Sequence, residues 1–349
     1  MSDALRAAFA DQAAHCDALG SPFMGNLMRL CAQRLPENGV VAEALHGFQG
    51  DLGAGGHSVP LRFAGALHHL VLSQASPELT KAYPPNDWDE DRVWSAVLGA
   101  MQQHAELLLP IIALPPQTNE IRRSAALIPA LHLVASKTGL PLVLSELGAS
   151  AGLNLLCDHY HLASDGEGFG PLDADVTLTP EWRGDVPMPS DLIVTERAGV
   201  DLSPFDLTDV SQSLRLLSYL WPDQPDRIKN TSAAIELARH LGACVHQGDA
   251  IKWLEKRLQK PFPGAVHVIY HTVAWQYFPT ELQERGEALL QAAGQRATRA
   301  APLARFSMEN DGQLKGARLT LQLWPDGRTY ELGRVDFHGR WIDWTSPKG

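Results

Sequence analysis

The stretch Pro141-Leu142-Val143-Leu144-Ser145-Glu146-Leu147-Gly148-Ala149-Ser150-Ala151-Gly152-Leu153-Asn154 constrains this chain more than any other. Its apolar start reads as a strand buried in a sheet, and the segment after Gly152 has the spacing of an amphipathic helix over Leu153 to His161. Between them stands a turn of glycine, alanine and serine. Residues with little or no side chain let the backbone approach a ligand closely, and a strand feeding a helix N-terminus turns N–H groups toward the space beyond the strand's carboxyl end. Chemistry is expected there.

With 349 residues, 45% of them apolar, the chain has enough material for one large core or two smaller ones, and two units are expected at this length. The net charge of -11, from 40 acidic against 29 basic residues, argues against a nucleic-acid-binding face and points to a small-molecule substrate. Cys16, Cys31, Cys157 and Cys244 lie far apart with no C-x-x-C, which reads as reduced, buried thiols of a cytoplasmic protein. Met1 to Ala14 carries Asp3, Arg6 and Asp11, so no export signal is expected. The apolar tracts Leu107 to Pro116 and Leu127 to Leu156 are broken by prolines, charges and glycines, and no membrane span is expected. Neither composition nor pattern speaks to oligomeric state.

Residues 1–138 read as a helical cap domain, with apolar spacing of three and four in Asn26 to Ala32 and Phe63 to Leu72. Residues 139–349 alternate strand and helix patterns, the signature of a mostly parallel, Rossmann-like α/β sheet. Strands are expected at Leu142 to Leu147, Leu192 to Glu196, Ala243 to His246, Ala265 to Tyr270 and Ala304 to Met308, with helices between them. A terminal hairpin, Ala317 to Trp324 and Thr329 to Phe337, turns at Pro325-Asp326-Gly327-Arg328. Residues 164–190 read as an insertion carrying a short β segment.

Read as E-x-G-x-x-x-G (Glu146, Gly148, Gly152), the central turn resembles the first motif of class I methyltransferases that use S-adenosylmethionine. The terminal antiparallel hairpin favours that resemblance, and it implies a cofactor site at Glu146, Gly148, Ser150, Gly152 and Asn154. Gly248-Asp249-Ala250 resembles the family's adenine-binding segment. Glu196, at the end of its expected strand, takes the place of the carboxylate that binds the two ribose hydroxyls, with Asp201 as fallback. His271, at the end of the fourth expected strand, is the candidate general base. Asn119, Glu120, Arg122 and Arg123 precede a helix leading to the turn and are candidates for the acceptor or the methionine end of the cofactor, or for interdomain ion pairs. Trp275, with Trp221, is a candidate wall of the acceptor pocket or simply core.

The chain also resembles an uncharacterised bacterial domain-of-unknown-function family in Glu146 to Leu155, Trp182 to Gly184, Arg197 to Asp201, Trp221 to Gln224, Gly248 to Ala250 and Trp324 to Gly327. That resemblance implies the methyltransferase-like fold without a reaction. Against the methyltransferase pattern, Ser150 replaces a glycine and 43 residues separate Gly152 from Glu196, where roughly 20 are expected. No helix is evident between Met308 and Ala317. Nor is there an Asn/Asp-Pro-Pro-aromatic segment for a nucleobase acceptor.

Two other readings remain open. As G-x-S-x-G (Gly148, Ser150, Gly152) the turn resembles the nucleophile elbow of an α/β-hydrolase, with Ser150 followed by Asp201 or Asp249 and then His338. The fold could alternatively bind an adenosyl ligand without catalysis. His68-His69 and the Asp158 to His161 cluster lack a third ligand at suitable spacing, so no metal is expected.

Overall fold

The computed structural model describes residues 2–164, 168–242, 244–313 and 315–347. The chain divides into two compact units, one of residues 1–118 and 208–232, the other of 119–207 and 233–349. The first unit is helical. Its helices Asp3–Ala18, Pro22–Arg34, Val59–Leu72 and Glu90–Gln103 enclose a core of residues such as Leu5, Phe9, Leu27, Phe63 and Val97, with Trp221 returning to the same core. The helix Ser124–Thr138, grouped by its texture with the N-terminal half, belongs instead to the second unit. No single helix among the described residues is long and apolar enough to cross a membrane.

The second unit is α/β. Its strands are β1 (Leu142–Leu147), β2 (His161–Leu162), β3 (Thr177–Leu178), β4 (Glu181–Gly184), β5 (Val194–Asp201), β6 (Val245–Gln247), β7 (Val266–Thr272), β8 (Leu303–Glu309), β9 (Ala317–Trp324), β10 (Arg328–Val335) and β11 (Trp341–Trp344). Among the described residues, nine of them form one sheet in the order β4-β11-β10-β9-β8-β7-β1-β5-β6. From β6 to β8 neighbours run parallel, then β9, β10 and β11 follow as an antiparallel meander. β1 is buried along its whole length, as a central strand covered on both faces must be.

Four expectations need correction. β5 starts at Val194 and runs on to Asp201, past the expected end at Glu196. Its two charges read as a terminus, but each has a partner: Glu196 pairs with Arg257 at 2.6 Å, and Arg197 forks onto both oxygens of Asp158 at 2.8 and 3.0 Å. The segment after Gly152 is a 3-10 helix, Leu153–His159, and not an α-helix. Arg197 and Tyr160 hold it, donating to Leu155 O at 3.1 Å and Leu153 O at 2.6 Å. The insertion is divided: its β3 pairs with the preceding β2 in a separate two-stranded sheet, while its β4 joins the main sheet beside β11. Of the expected strand Ala243 to His246, Ala243 lies outside the described residues, and Cys244, taken for a buried thiol, is exposed.

Candidate functional site

β1 ends at Leu147, and the chain then folds over the carboxyl end of β5. Gly148, Ser150 and Gly152 all adopt left-handed backbone, with φ +74°, +53° and +75°. At Gly148 packing also excludes a side chain, since a Cβ there would stand 2.6 Å from the Cβ of Ala274. Gly199 on β5 makes room from the other side, where a Cβ would lie 2.5 Å from that of Ala149. Most of the turn's own donors are committed: Gly148 and Ala149 N–H donate to Val200 O at 2.9 and 3.0 Å, and Gly152 N–H to Ala149 O at 2.7 Å. Leu153 N–H donates to Asn119 Oδ1 at 2.8 Å. A turn with its N–H groups spent this way is no anion cradle. It suits a ligand that needs close backbone approach and acceptor groups.

Asp201, the last residue of β5, supplies acceptors and ties the site together. Its Oδ2 accepts from Ser150 N–H at 2.9 Å, its Oδ1 from Ser203 N–H at 2.9 Å, and its main-chain oxygen from Gly248 N–H at 2.9 Å. The turn after β1, the end of β5 and the loop after β6 are thereby drawn together. Gly148, Asp201, Gly248, Asp249 and Ala250 are the partly exposed members of that set. Asp249 also caps the helix Ala250–Arg257, its Oδ1 accepting from Ile251 and Lys252 N–H at 3.0 and 2.8 Å. Such a cap contributes about 1 kcal/mol.

Other expected site residues are placed differently. Glu196 is the third residue of β5 and lies away from its carboxyl end, so the carboxylate at the strand end is Asp201. Glu146 is sealed beneath the turn, 2% exposed, and accepts a hydrogen bond from Tyr270 Oη at 3.2 Å. Burial pushes its carboxyl up to about 8, against the lowering effects of that hydrogen bond and of Arg123. Asn154 is buried; it donates to Glu120 O at 3.4 Å and accepts from Ser124 Oγ at 2.6 Å. Glu120 takes both the backbone and the side chain of Arg122 at 3.2 Å. Asn119, Glu120, Arg122 and Asn154 thus form a knot that clamps the segment before helix Ser124–Thr138 onto the turn.

Ser150 Oγ is buried with no hydrogen-bond partner among the described residues. A serine nucleophile needs a base within about 2.6–3.2 Å, and no imidazole reaches this one. The hydrolase arrangement is therefore not assembled around it.

A family model described as an uncharacterized protein conserved in bacteria, DUF2332, matches residues 6–344. The chain belongs to the DUF2332 family. No curated protein matches it.

His271 of this DUF2332 chain is fully buried and both its nitrogens are engaged. Nδ1 lies 2.7 Å from Glu309 Oε1, and Arg305 Nε approaches Nε2 at 3.2 Å. A guanidinium can only donate, so Nε2 offers its lone pair and Nδ1–H donates to the carboxylate. Burial lowers the imidazole's pKa, outweighing the hydrogen bond to Glu309 that raises it. The ring stacks on Trp275 at 4.9 Å, and Arg305 covers Trp275 at 4.7 Å. With both nitrogens engaged, His271 supports Glu309 and Arg305, and Trp275 is 7% exposed core.

Sequence reasoning missed Glu309 in the DUF2332 chain. Its carboxylate also accepts from Ala274, Trp275 and Gln276 N–H at 3.0, 3.0 and 3.3 Å, fixing the loop after β7. Burial raises its pKa, but the hydrogen bond from His271 first, and then those from Ala274 and Trp275 N–H, bring it below the ordinary carboxylate value. An acid at the carboxyl end of an apolar strand was the available signal. Arg123 reaches the same region, donating to Thr272 O at 2.8 Å and Phe337 O at 3.1 Å, with Glu120, Glu309 and Glu146 in its field.

Proposed function

We propose that this chain is an S-adenosylmethionine-dependent methyltransferase acting on a small-molecule acceptor. The observation that carries the reading is Asp201: a carboxylate at the end of β5, joined to the left-handed turn after β1 on one side and to Gly248 on the other. The terminal antiparallel strands after a parallel sheet support it as well. β5 leaves β1 in one direction and β7 in the other, and open α/β sheets bind ligands outside the carboxyl ends of strands at such a reversal.

The residues present fit an adenosyl cofactor. Gly148 has no room for a side chain and keeps the backbone close, Asp201 offers acceptors matched to two ribose hydroxyls, and Gly248, Asp249 and Ala250 leave space for an adenine edge. Bound there, the cofactor supplies an electrophilic methyl group on a sulfonium. Glu146 and Tyr270 support the turn from below. Arg123 and the exposed Tyr277, which lies in the Arg123 field, stand on the acceptor side and orient it. With His271 committed to Glu309 and Arg305, the reaction rests on alignment, which alone can lower a barrier by about 7–11 kcal/mol.

The test is turnover. The purified chain, S-adenosylmethionine and a small-molecule extract are combined and S-adenosylhomocysteine is measured, with Asp201→Ala as control. Release that depends on the extract and falls at least tenfold in the control is expected. Cofactor binding without release under any extract would make the site a sensor.

A further inference from the structure

A second polar network lies on the same sheet, nearer the amino ends of the strands. Ser145 Oγ and His267 Nε2 are 2.8 Å apart, Arg257 Nε donates to the same hydroxyl at 3.0 Å, and the Arg257 guanidinium pairs with Glu196 at 2.6 Å. Ser145 Oγ accepts from Arg257 and has no acceptor for its own proton among the described residues other than His267 Nε2, so this buried hydroxyl donates there and the neutral ring carries its proton on Nδ1. Phe262 meets that ring edge to face at 4.8 Å. His267 is 4% exposed. Burial, with Arg257 adding to it, lowers its pKa to about 3, so the ring stays neutral.

His267 also lines a cavity of about 240 Å³, bounded by the turn Leu258 to Phe262, the end of helix Thr280–Arg296 and Pro302-Leu303. Most of its walls are apolar, among them Leu258, Phe262, Ala293 and Leu303. Its charged lining among the described residues is Lys260 and Arg296, both cations. His267 Nδ1–H is the donor the ring has left, because no protein acceptor for it is found among the described residues.

We propose that this cavity binds a small apolar carboxylic acid, aromatic or branched aliphatic, whose carboxylate accepts from His267 Nδ1–H and faces Lys260 and Arg296. Apolar walls with one fixed neutral donor and two cations match an apolar body carrying one anionic end. Glu196 is then a positioning residue: it holds Arg257, Arg257 orients Ser145, and Ser145 sets the tautomer of His267. The site is separate from the loops at the carboxyl ends of β1 and β5, and it stands whether or not those loops bind an adenosyl cofactor.

The full chain is titrated with benzoate and with benzyl alcohol, its neutral counterpart, by calorimetry and by ¹⁵N–¹H correlation of the histidine rings. Saturable benzoate binding with Kd below about 1 mM, at least about tenfold weaker binding of benzyl alcohol, and a shift of the His267 Nδ1–H resonance are expected. Ala297→Phe, which fills the cavity without touching the network, should abolish binding in a chain whose melting temperature shows it folded. The double variant Lys260→Met, Arg296→Met should weaken benzoate about tenfold and leave benzyl alcohol unchanged. No saturable binding by benzoate or 3-methylbutanoate overturns the proposal, as does binding that survives Ala297→Phe.

Discussion

Glu146 carries a pH signature that a stability measurement can read. Its folded-state pKa of about 8 lies above the ordinary carboxylate value because the group is buried. Between about pH 4.5 and about pH 8 the folded chain keeps a proton that the unfolded chain has released, so this residue's contribution to stability is lost as pH rises through that window. The slope reaches about 1.4 kcal/mol per pH unit. Glu146→Gln removes it: the stability of the variant relative to the native chain, from urea unfolding, should rise steadily from about pH 5 to about pH 8. A difference that stays flat contradicts a protonated Glu146. His271→Ala strips partners from two charged side chains, Glu309 and Arg305, and should cost about 2–4 kcal/mol in the same measurement. If His271 is a support only, its more conservative replacement His271→Gln leaves the pH profile of any turnover unchanged, whereas loss of an ionisation from that profile would restore it as a base.

At the scale of elements, the turn after β1 and the loop after β7 are held by side chains distant in sequence. Glu309 bonds three consecutive N–H groups in Ala274 to Gln276. Glu309→Gln weakens these bonds, and hydrogen exchange of those amides should accelerate at least tenfold while amides in the centre of β1 keep their protection. Exchange unaltered at Ala274 to Gln276 would show that the loop is fixed by something else. Gly148→Val combines left-handed backbone with the 2.6 Å approach to Ala274, and should destabilise the chain by about 1–3 kcal/mol.

What could be read from the sequence at this scale follows from what sets each boundary. β1 was legible in full because a central strand is apolar throughout and stops at glycine. The hairpin β9–β10 was legible because Asp326-Gly327 marks its turn. The carboxyl end of β5 was not, since Glu196 and Arg197 look like a terminus until their partners Arg257 and Asp158 are known, and those lie 61 residues ahead and 39 behind. The same long-range pairing explains the candidate site. Gly148 and Asp249 are candidates on local pattern alone, whereas the committed nitrogens of His271 and the sealing of Glu146 depend on Arg305, Glu309 and Tyr270, which no local pattern connects to them.

For the whole molecule, two compact units are made from interleaved segments: residues 208–232 leave the α/β unit's sequence to complete the helical one. Domain boundaries drawn from texture alone therefore place helix Ser124–Thr138 on the wrong side, because a helix covering a parallel sheet has the same apolar spacing as one in a helical bundle. In the α/β unit Asp201 joins three loops, and the central proposal is that these loops bind an adenosyl cofactor. Calorimetric titration of the native chain and of Asp201→Asn with S-adenosylhomocysteine tests it most directly. Binding near the micromolar range, about -8 kcal/mol, weakened at least tenfold in Asp201→Asn with the fold intact, is the predicted result; no heat from the native chain, or equal affinity in both, would contradict it.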